Sequence, residues 1–87
     1  MVKHILIDCS RMTSKETLHR CLQETLSLPE YYGGNLDALF DCLTEVNEPV
    51  VLEFEHPDAL LPLGNYGEAL MATFRDAALE NPMLTLV

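Results

Sequence analysis

The chain has 87 residues, of which 48% are hydrophobic, and its 14 acidic and 5 basic residues give a formal charge of −9 at pH 7. This length predicts one domain over residues 1–87, and the apolar content excludes a disordered acidic tail. The charge argues against nucleic acid as a ligand and favours either a basic partner or a surface that is acidic for solubility alone.

The first half of the chain predicts a strand followed by two helices. The run KHILID, residues 3–8, is short, apolar and branched, which is typical of a buried strand. Thr13 and Glu16 have the spacing of a capping box, and this first helix should end before Pro29. Asn35 is a suitable N-cap for a second helix. The apolar positions of that helix, spaced to face a core, are Leu36, Leu39, Phe40 and Leu43.

The second half predicts strand, helix and strand again. Residues 50–54 form a second strand, residues 56–61 one or two short helical turns, and Gly64 to Gly67 the turn into a long helix. Asn81–Pro82 ends that helix, and residues 83–87 form a last strand. The order strand, helices, strand, helices, strand implies right-handed crossovers. It therefore predicts an α/β fold, a three-stranded parallel sheet packed by about four helices.

An acidic stripe follows the second helix. Asp37, Asp41 and Glu45 recur every four residues and point away from the predicted core. Like charges at this spacing cost a few tenths of a kcal/mol per pair. Such carboxylates serve acid–base chemistry, a divalent metal or a protein partner. An exposed helix face lacks the burial that tunes a catalytic acid, so we expect neither an enzyme nor a metal site.

Two further features favour a protein-binding surface. Tyr31 and Tyr32 precede the stripe, and aromatic side chains beside charged pairs are typical anchors of interfaces. Ten acidic residues and no Lys or Arg lie between Arg20 and Arg75. This distribution would speed the encounter with a basic partner at low salt.

The remaining candidate features predict no further chemistry. The three cysteines match neither zinc nor redox spacing, and Cys21 and Cys42 are expected to be buried thiols. His19, His56 and Arg75 receive no role. The N-terminus does not resemble a signal peptide and no segment reaches the length of a membrane span, so we expect a cytoplasmic protein without a cofactor.

The stretch LPEYYGGNLDALFDCLTE, residues 28–45, resembles the inhibitory loop and helix of the barstar family of ribonuclease inhibitors. The resemblance extends over nearly the whole chain and includes FRDAALE, residues 74–80. It implies a barstar-like fold. It also implies that the helix and the loop before it block the active site of a secreted or delivered nuclease.

The resemblance also implies roles for individual residues. Asp41 would be the chief anchor and take the place of a substrate phosphate, and Asp37 would be the second acidic contact. Tyr31 would pack on the catalytic histidine of the nuclease. The other implied contacts are Asn35, Leu36, Phe40, Thr44 and Asp76.

The chain departs from the family pattern at several positions. Phe40 stands in place of Trp, Gly34 in place of an acidic residue, and Asp76 in place of a longer glutamate. Glu45 and Val46 replace a Gly-Trp pair.

The expected partner is a basic ribonuclease of the barnase type, bound 1:1, with neither nucleic acid nor membrane as a partner and a monomeric protein when free. The alternative is a non-catalytic module of the same fold that binds another basic protein.

Overall fold

The computed structural model describes residues 2–87 and contains three strands, three α-helices and two 3₁₀ segments. In chain order the main elements are β1 (Lys3–Asp8), α1 (Lys15–Thr25), α2 (Leu36–Thr44), β2 (Val50–Glu55), α3 (Asn65–Glu80) and β3 (Leu84–Leu86). The 3₁₀ segments are Cys9–Arg11 and Pro57–Leu63. Within residues 2–87, no helix combines the length and the apolar character that crossing a membrane requires.

The sheet is parallel throughout, with β2 between β1 and β3. Lys3 pairs with Val50 and Asp8 with Glu55 along β1 and β2, and Val50 pairs with Leu84 of β3. The predicted α/β fold, with three parallel strands and four helices counting the longer 3₁₀ segment, is confirmed.

Only one face of the sheet is covered by helices. Ile7, Leu52 and Leu84 on the inner face are buried, and the Phe54 ring packs edge-on against Phe74 of α3 at 5.0 Å between centroids. The alternate residues on the outer face include Leu6, Glu53 and Thr85, which are exposed. The alternation of a strand therefore gives this parallel sheet a core side and a solvent side.

The ends of α1 differ from the prediction. Its N-cap is Ser14 rather than Thr13, and the reciprocal partner is Thr17 rather than Glu16. The Thr17 hydroxyl accepts the Ser14 N–H at 2.9 Å, which a Glu side chain does in the usual capping box. The helix ends at Thr25, three residues earlier than expected, because Ser27 has a left-handed backbone with φ of 54°.

Helix α3 lies unusually close to the 3₁₀ segment before it. A Cβ on Gly67 would lie 2.8 Å from the backbone oxygen of Leu60, so only glycine fits there. Further along α3, Leu70, Phe74 and Ala77 are buried as predicted.

Candidate protein-binding site

Helix α2 is fixed to the molecule along one side and capped at its start. The Asn35 side chain accepts a hydrogen bond from the N–H three residues later at 2.8 Å, which confirms its predicted role as N-cap. Leu39 and Leu43 are buried, and Leu36 and Phe40 are half-buried. Because the helix is capped and packed along this stripe, its outward side chains point in defined directions.

The acidic side chains of α2 point to solvent. Asp37 and Asp41 are exposed, and Glu45, also exposed, is the C-terminal cap of the helix. Within residues 2–87, none of these three carboxylates takes part in a salt bridge. Asp37 gains from the positive end of the helix dipole, and Glu45 lies at the unfavourable end. The stripe therefore presents uncompensated negative charge on a rigid support.

The loop before α2 holds one tyrosine outward and one inward. Tyr31 is 85% exposed, whereas Tyr32 is half-buried and its hydroxyl lies 3.5 Å from the backbone oxygen of Asn35. Gly34 has a φ of 68°, a conformation that glycine adopts without strain. The loop therefore presents the Tyr31 ring to solvent, five residues before α2 begins.

A buried histidine anchors this loop. The His19 ring, 7% exposed, has Nδ1 at 2.6 Å from the Tyr32 hydroxyl and Nε2 at 2.5 Å from the Tyr66 hydroxyl. A neutral imidazole has one donor and one acceptor, so one tyrosine donates to the ring and the other accepts from it. Burial lowers the pKa of His19 and raises the pKa values of Tyr32 and Tyr66. The contact ties the loop to α1 and α3.

The sequence interpretation missed His19. The residue follows the buried Leu18 and precedes Leu22 by three, so it lies at the edge of the apolar stripe of α1. That position is the one local signal of burial. The hydroxyl groups that satisfy it come from residues 13 and 47 positions away, which no local pattern identifies.

The C-terminal ends of α2 and α3 are joined by a buried amide. The Asn81 side chain donates to the backbone oxygens of Leu43 at 3.0 Å and Val46 at 2.9 Å. Both helices lead into neighbouring parallel strands, so they run in the same direction. At 1.5 Å per residue, Asp76 lies about 7.5 Å back from Asn81, level with the central turns of α2. Asp76 is exposed.

Two polar side chains of α2, Thr44 and Cys42, are only partly available to a partner. The Thr44 hydroxyl donates to the backbone oxygen of Asp41 at 3.0 Å. Cys42 was expected to be buried but is only half-buried, because it lies between the core stripe and the acidic stripe. Partial burial, followed by the charges of Glu45 and Asp41, raises the pKa of its thiol.

Within residues 2–87, the three acids of the stripe do not bring their carboxylate oxygens together in one group. In the part of the chain that the structure describes, the one group of three ligand side chains whose atoms lie within 4.8 Å of one another is Asp8, Glu55 and His56, not the acids of α2. A helix turn separates Asp37, Asp41 and Glu45 from one another. This arrangement suits contacts with several cationic groups of a partner rather than one ion.

The chain matches a family model and is similar to curated proteins. The family model described as barstar, barnase inhibitor, matches residues 2–84. A protein of Bacillus subtilis (strain 168) named "Putative ribonuclease inhibitor YrdF" is 37% identical over 83 residues, which cover 91% of this chain and 89% of YrdF.

The fold and these matches place the chain in a family of ribonuclease inhibitors. The chain belongs to the barstar family. Inhibition of a ribonuclease is the role that this membership supports.

Proposed function

We propose that this protein inhibits a ribonuclease of the barnase type by placing α2 and the preceding loop in the active site of the enzyme. The observation that carries the proposal is the pair Asp37 and Asp41, which are exposed on a capped helix and have no salt bridge to any residue from 2 to 87, together with the exposed ring of Tyr31 in the preceding loop. Membership of the barstar family supports the proposal, since the resemblance of residues 28–45 to the inhibitory loop and helix of that family implies that these two acids contact the nuclease.

In this proposal Asp41 takes the place of a substrate phosphate. An active site that binds the phosphates of RNA offers Arg, Lys and His side chains, and a carboxylate meets the planar guanidinium of Arg with two parallel hydrogen bonds. Asp37 lies one turn earlier on the same face and provides a second charge. Asp76, on the neighbouring helix, would contact a cationic group at the edge of the interface.

The neighbouring residues would exclude water and hold the acids in place. Tyr31 presents a large exposed ring that would stack on the catalytic histidine of the nuclease. Asn35 caps the start of α2 and the Thr44 hydroxyl bonds to its backbone, so both side chains are held in place where they would line the surface. Leu36 and Phe40, both half-buried, would contribute the exposed parts of their side chains.

The proposed complex contains one copy of each protein, because the acids and Tyr31 form one face on one helix and loop. The three cysteines are free thiols. They suit a reducing compartment, where an inhibitor would protect the cell from a nuclease before its export or after its delivery.

The direct test is titration of a barnase-type ribonuclease with this protein and with the Asp41→Ala variant. We expect stoichiometric inhibition by the wild type. Loss of one partner from a desolvated charge pair costs about 2–5 kcal/mol, so the inhibition constant of the variant should rise roughly 30-fold to several thousand-fold.

A matched control is Glu53→Ala, which removes the same charge from the outer face of the sheet. We expect its inhibition constant to change less than about threefold, in keeping with a charge outside the interface. If the folded wild type does not inhibit, the proposal is wrong for this class of nuclease. The departures at Gly34, Phe40 and Val46 would then favour another basic protein as the partner.

A further inference from the structure

Two acidic residues meet at one end of the solvent-facing side of the sheet. Asp8 and Glu55 end β1 and β2 and are paired in the parallel register. Both belong to the outer alternation of their strands, opposite the face that the helices cover. Their carboxylates therefore lie side by side. They are on the sheet, whereas the proposed nuclease-binding acids are on α2.

A histidine turns back over this pair. His56 directly follows β2 and has a left-handed backbone with φ of 56°. Its Nδ1 lies 3.4 Å from Asp8 Oδ1 and 3.9 Å from Glu55 Oε1. The three potential ligand atoms all lie within 4.8 Å of one another.

We propose that Asp8, Glu55 and His56 form a binding site for a divalent transition metal of the Zn²⁺ type. In a tetrahedral site with bonds of about 2.0–2.2 Å, neighbouring ligand atoms are about 3.3–3.6 Å apart. The His56–Asp8 separation of 3.4 Å already matches that spacing, the His56–Glu55 separation of 3.9 Å is slightly longer, and the two carboxylate oxygens lie within 4.8 Å of each other. The remaining position is open to water or to a ligand from another molecule.

The mixed donor set selects the metal. One imidazole nitrogen and two carboxylate oxygens suit Zn²⁺, Co²⁺ or Ni²⁺. Ca²⁺ and Mg²⁺ prefer ligand shells made wholly of oxygen, with six or more positions. Three protein ligands on an exposed edge do not fill such a shell.

Ser10 supports the first ligand. Its hydroxyl donates to Asp8 Oδ1 at 2.6 Å and its backbone N–H donates to the same oxygen at 3.0 Å. These two hydrogen bonds fix the orientation of the Asp8 carboxylate. Outer contacts of this kind orient metal ligands, and Ser10 is therefore a positioning residue for the site.

The test is calorimetric titration of the full-length protein with Zn²⁺ in the presence of a phosphine reductant, accompanied by Co²⁺ absorption in the visible range. We expect one equivalent of Zn²⁺ to bind and Co²⁺ to give the intense bands of a tetrahedral site. His56→Asn, chosen because Asn tolerates a positive φ, should weaken Zn²⁺ binding by at least about tenfold. Mg²⁺ and Ca²⁺ should bind at least about tenfold more weakly than Zn²⁺.

The matched control is His4→Asn, on the same outer face of β1. At about 3.3 Å per residue His4 lies about 13 Å from Asp8, too far to share an ion, and its loss should leave the affinity unchanged. Cys42→Ser tests the partly exposed thiol and should also bind normally. If His56→Asn does not fold, as judged by circular dichroism, Asp8→Asn serves in its place.

The proposal is overturned if millimolar Zn²⁺ produces neither heat nor a shift in melting temperature. It is also overturned if binding survives unchanged in both His56→Asn and Asp8→Asn, since the three side chains would then form an ion pair only. Neither result bears on ribonuclease inhibition, which depends on α2.

Discussion

Two amide side chains hold the ends of α2. Asn35 accepts an N–H of the first turn, and Asn81 donates to the backbone oxygens of Leu43 in the last turn and Val46 just after it. The terminal N–H and C=O groups of a helix have no partners within it. These two residues supply some of those partners, so the acids between them are carried by a helix that is fixed at both ends.

His19 gives the clearest prediction of pH dependence. Burial lowers the pKa of His19 in the folded protein, so between that value and the ordinary value of about 6.5 the unfolded chain binds more protons. The contribution of His19 to the free energy of unfolding is therefore fully present above pH 6.5. It is lost as the pH falls through the lower pKa of the folded protein. The slope contributed by one proton is at most about 1.4 kcal/mol per pH unit.

The measurement is the urea midpoint between pH 7.5 and 5.0 for the wild type and His19→Gln. Gln retains a donor and an acceptor for Tyr32 and Tyr66 but does not titrate, so the difference in stability between the two proteins should shrink as the pH falls. A difference that stays constant over this range would contradict the assignment of a neutral, buried His19.

Single residues could be predicted from the sequence where their role is local. Asn35 was found because an N-cap acts on a backbone group three residues away. Asn81 was predicted as the end of α3, but its side-chain contacts and those of His19 were not found, since the partners lie 13 to 47 residues away and depend on how the helices pack. Exposure of Asp37 and Asp41 followed from the helical period alone.

At the scale of elements, the junction of the second 3₁₀ segment with α3 leaves least room for change. The backbone oxygen of Leu60 occupies the space where residue 67 would place a Cβ. A backbone oxygen cannot rotate aside as a side chain does. The two elements are therefore in contact because residue 67 has no side chain.

Gly67→Ala is expected to destabilise the fold. Alanine should favour α3 by about 1 kcal/mol, but the forced separation from Leu60 should cost about 1–3 kcal/mol. We expect a net loss of about 1 kcal/mol in the free energy of unfolding by urea denaturation. Ala69→Gly, at an exposed position of the same helix, measures separately how much the difference in helix propensity between Ala and Gly changes the stability. A Gly67→Ala protein more stable than the wild type would show that the contact yields easily.

Elements were predicted better than their ends. All three strands and three α-helices were expected from apolar periodicity. The start of α1 was displaced by one residue, because Thr13 and Ser14 are both good caps and the choice depends on Thr17. The last strand was predicted as residues 83–87 but spans Leu84–Leu86, since pairing with β2 ends at Leu52.

At the scale of the whole molecule, charge is unevenly distributed. Four of the five basic residues precede residue 21, and α2 lies in the long acidic stretch that follows. A field of this kind acts over roughly 10 Å at 0.1 M salt and orients a basic partner before contact.

The rate of association with a barnase-type ribonuclease should therefore depend on salt. We expect the association rate constant, measured by stopped flow, to fall by about tenfold or more between low and 0.5 M ionic strength. The dissociation rate should change less, because close contacts are shielded from the solvent. An association rate that does not vary with salt would argue that the acidic field has no part in recognition.

The architecture was predictable because short connections and crossover rules leave few ways to arrange three strands with helices between them. The candidate binding face followed from the stripe on α2 and from the family resemblance. The group of Asp8, Glu55 and His56 was not predicted. It depends on the pairing register of β1 with β2, which brings together residues 47 positions apart.

Cys42 shows a second effect of the acidic stripe. A thiol reacts with oxidants and alkylating agents as the thiolate, and a higher pKa keeps less of it in that form. Its partial burial and the adjacent charges of Glu45 and Asp41 both act in that direction. Asp41, proposed to recognise a nuclease, therefore also acts on the neighbouring thiol, and it does so in the direction that lowers the fraction of thiolate.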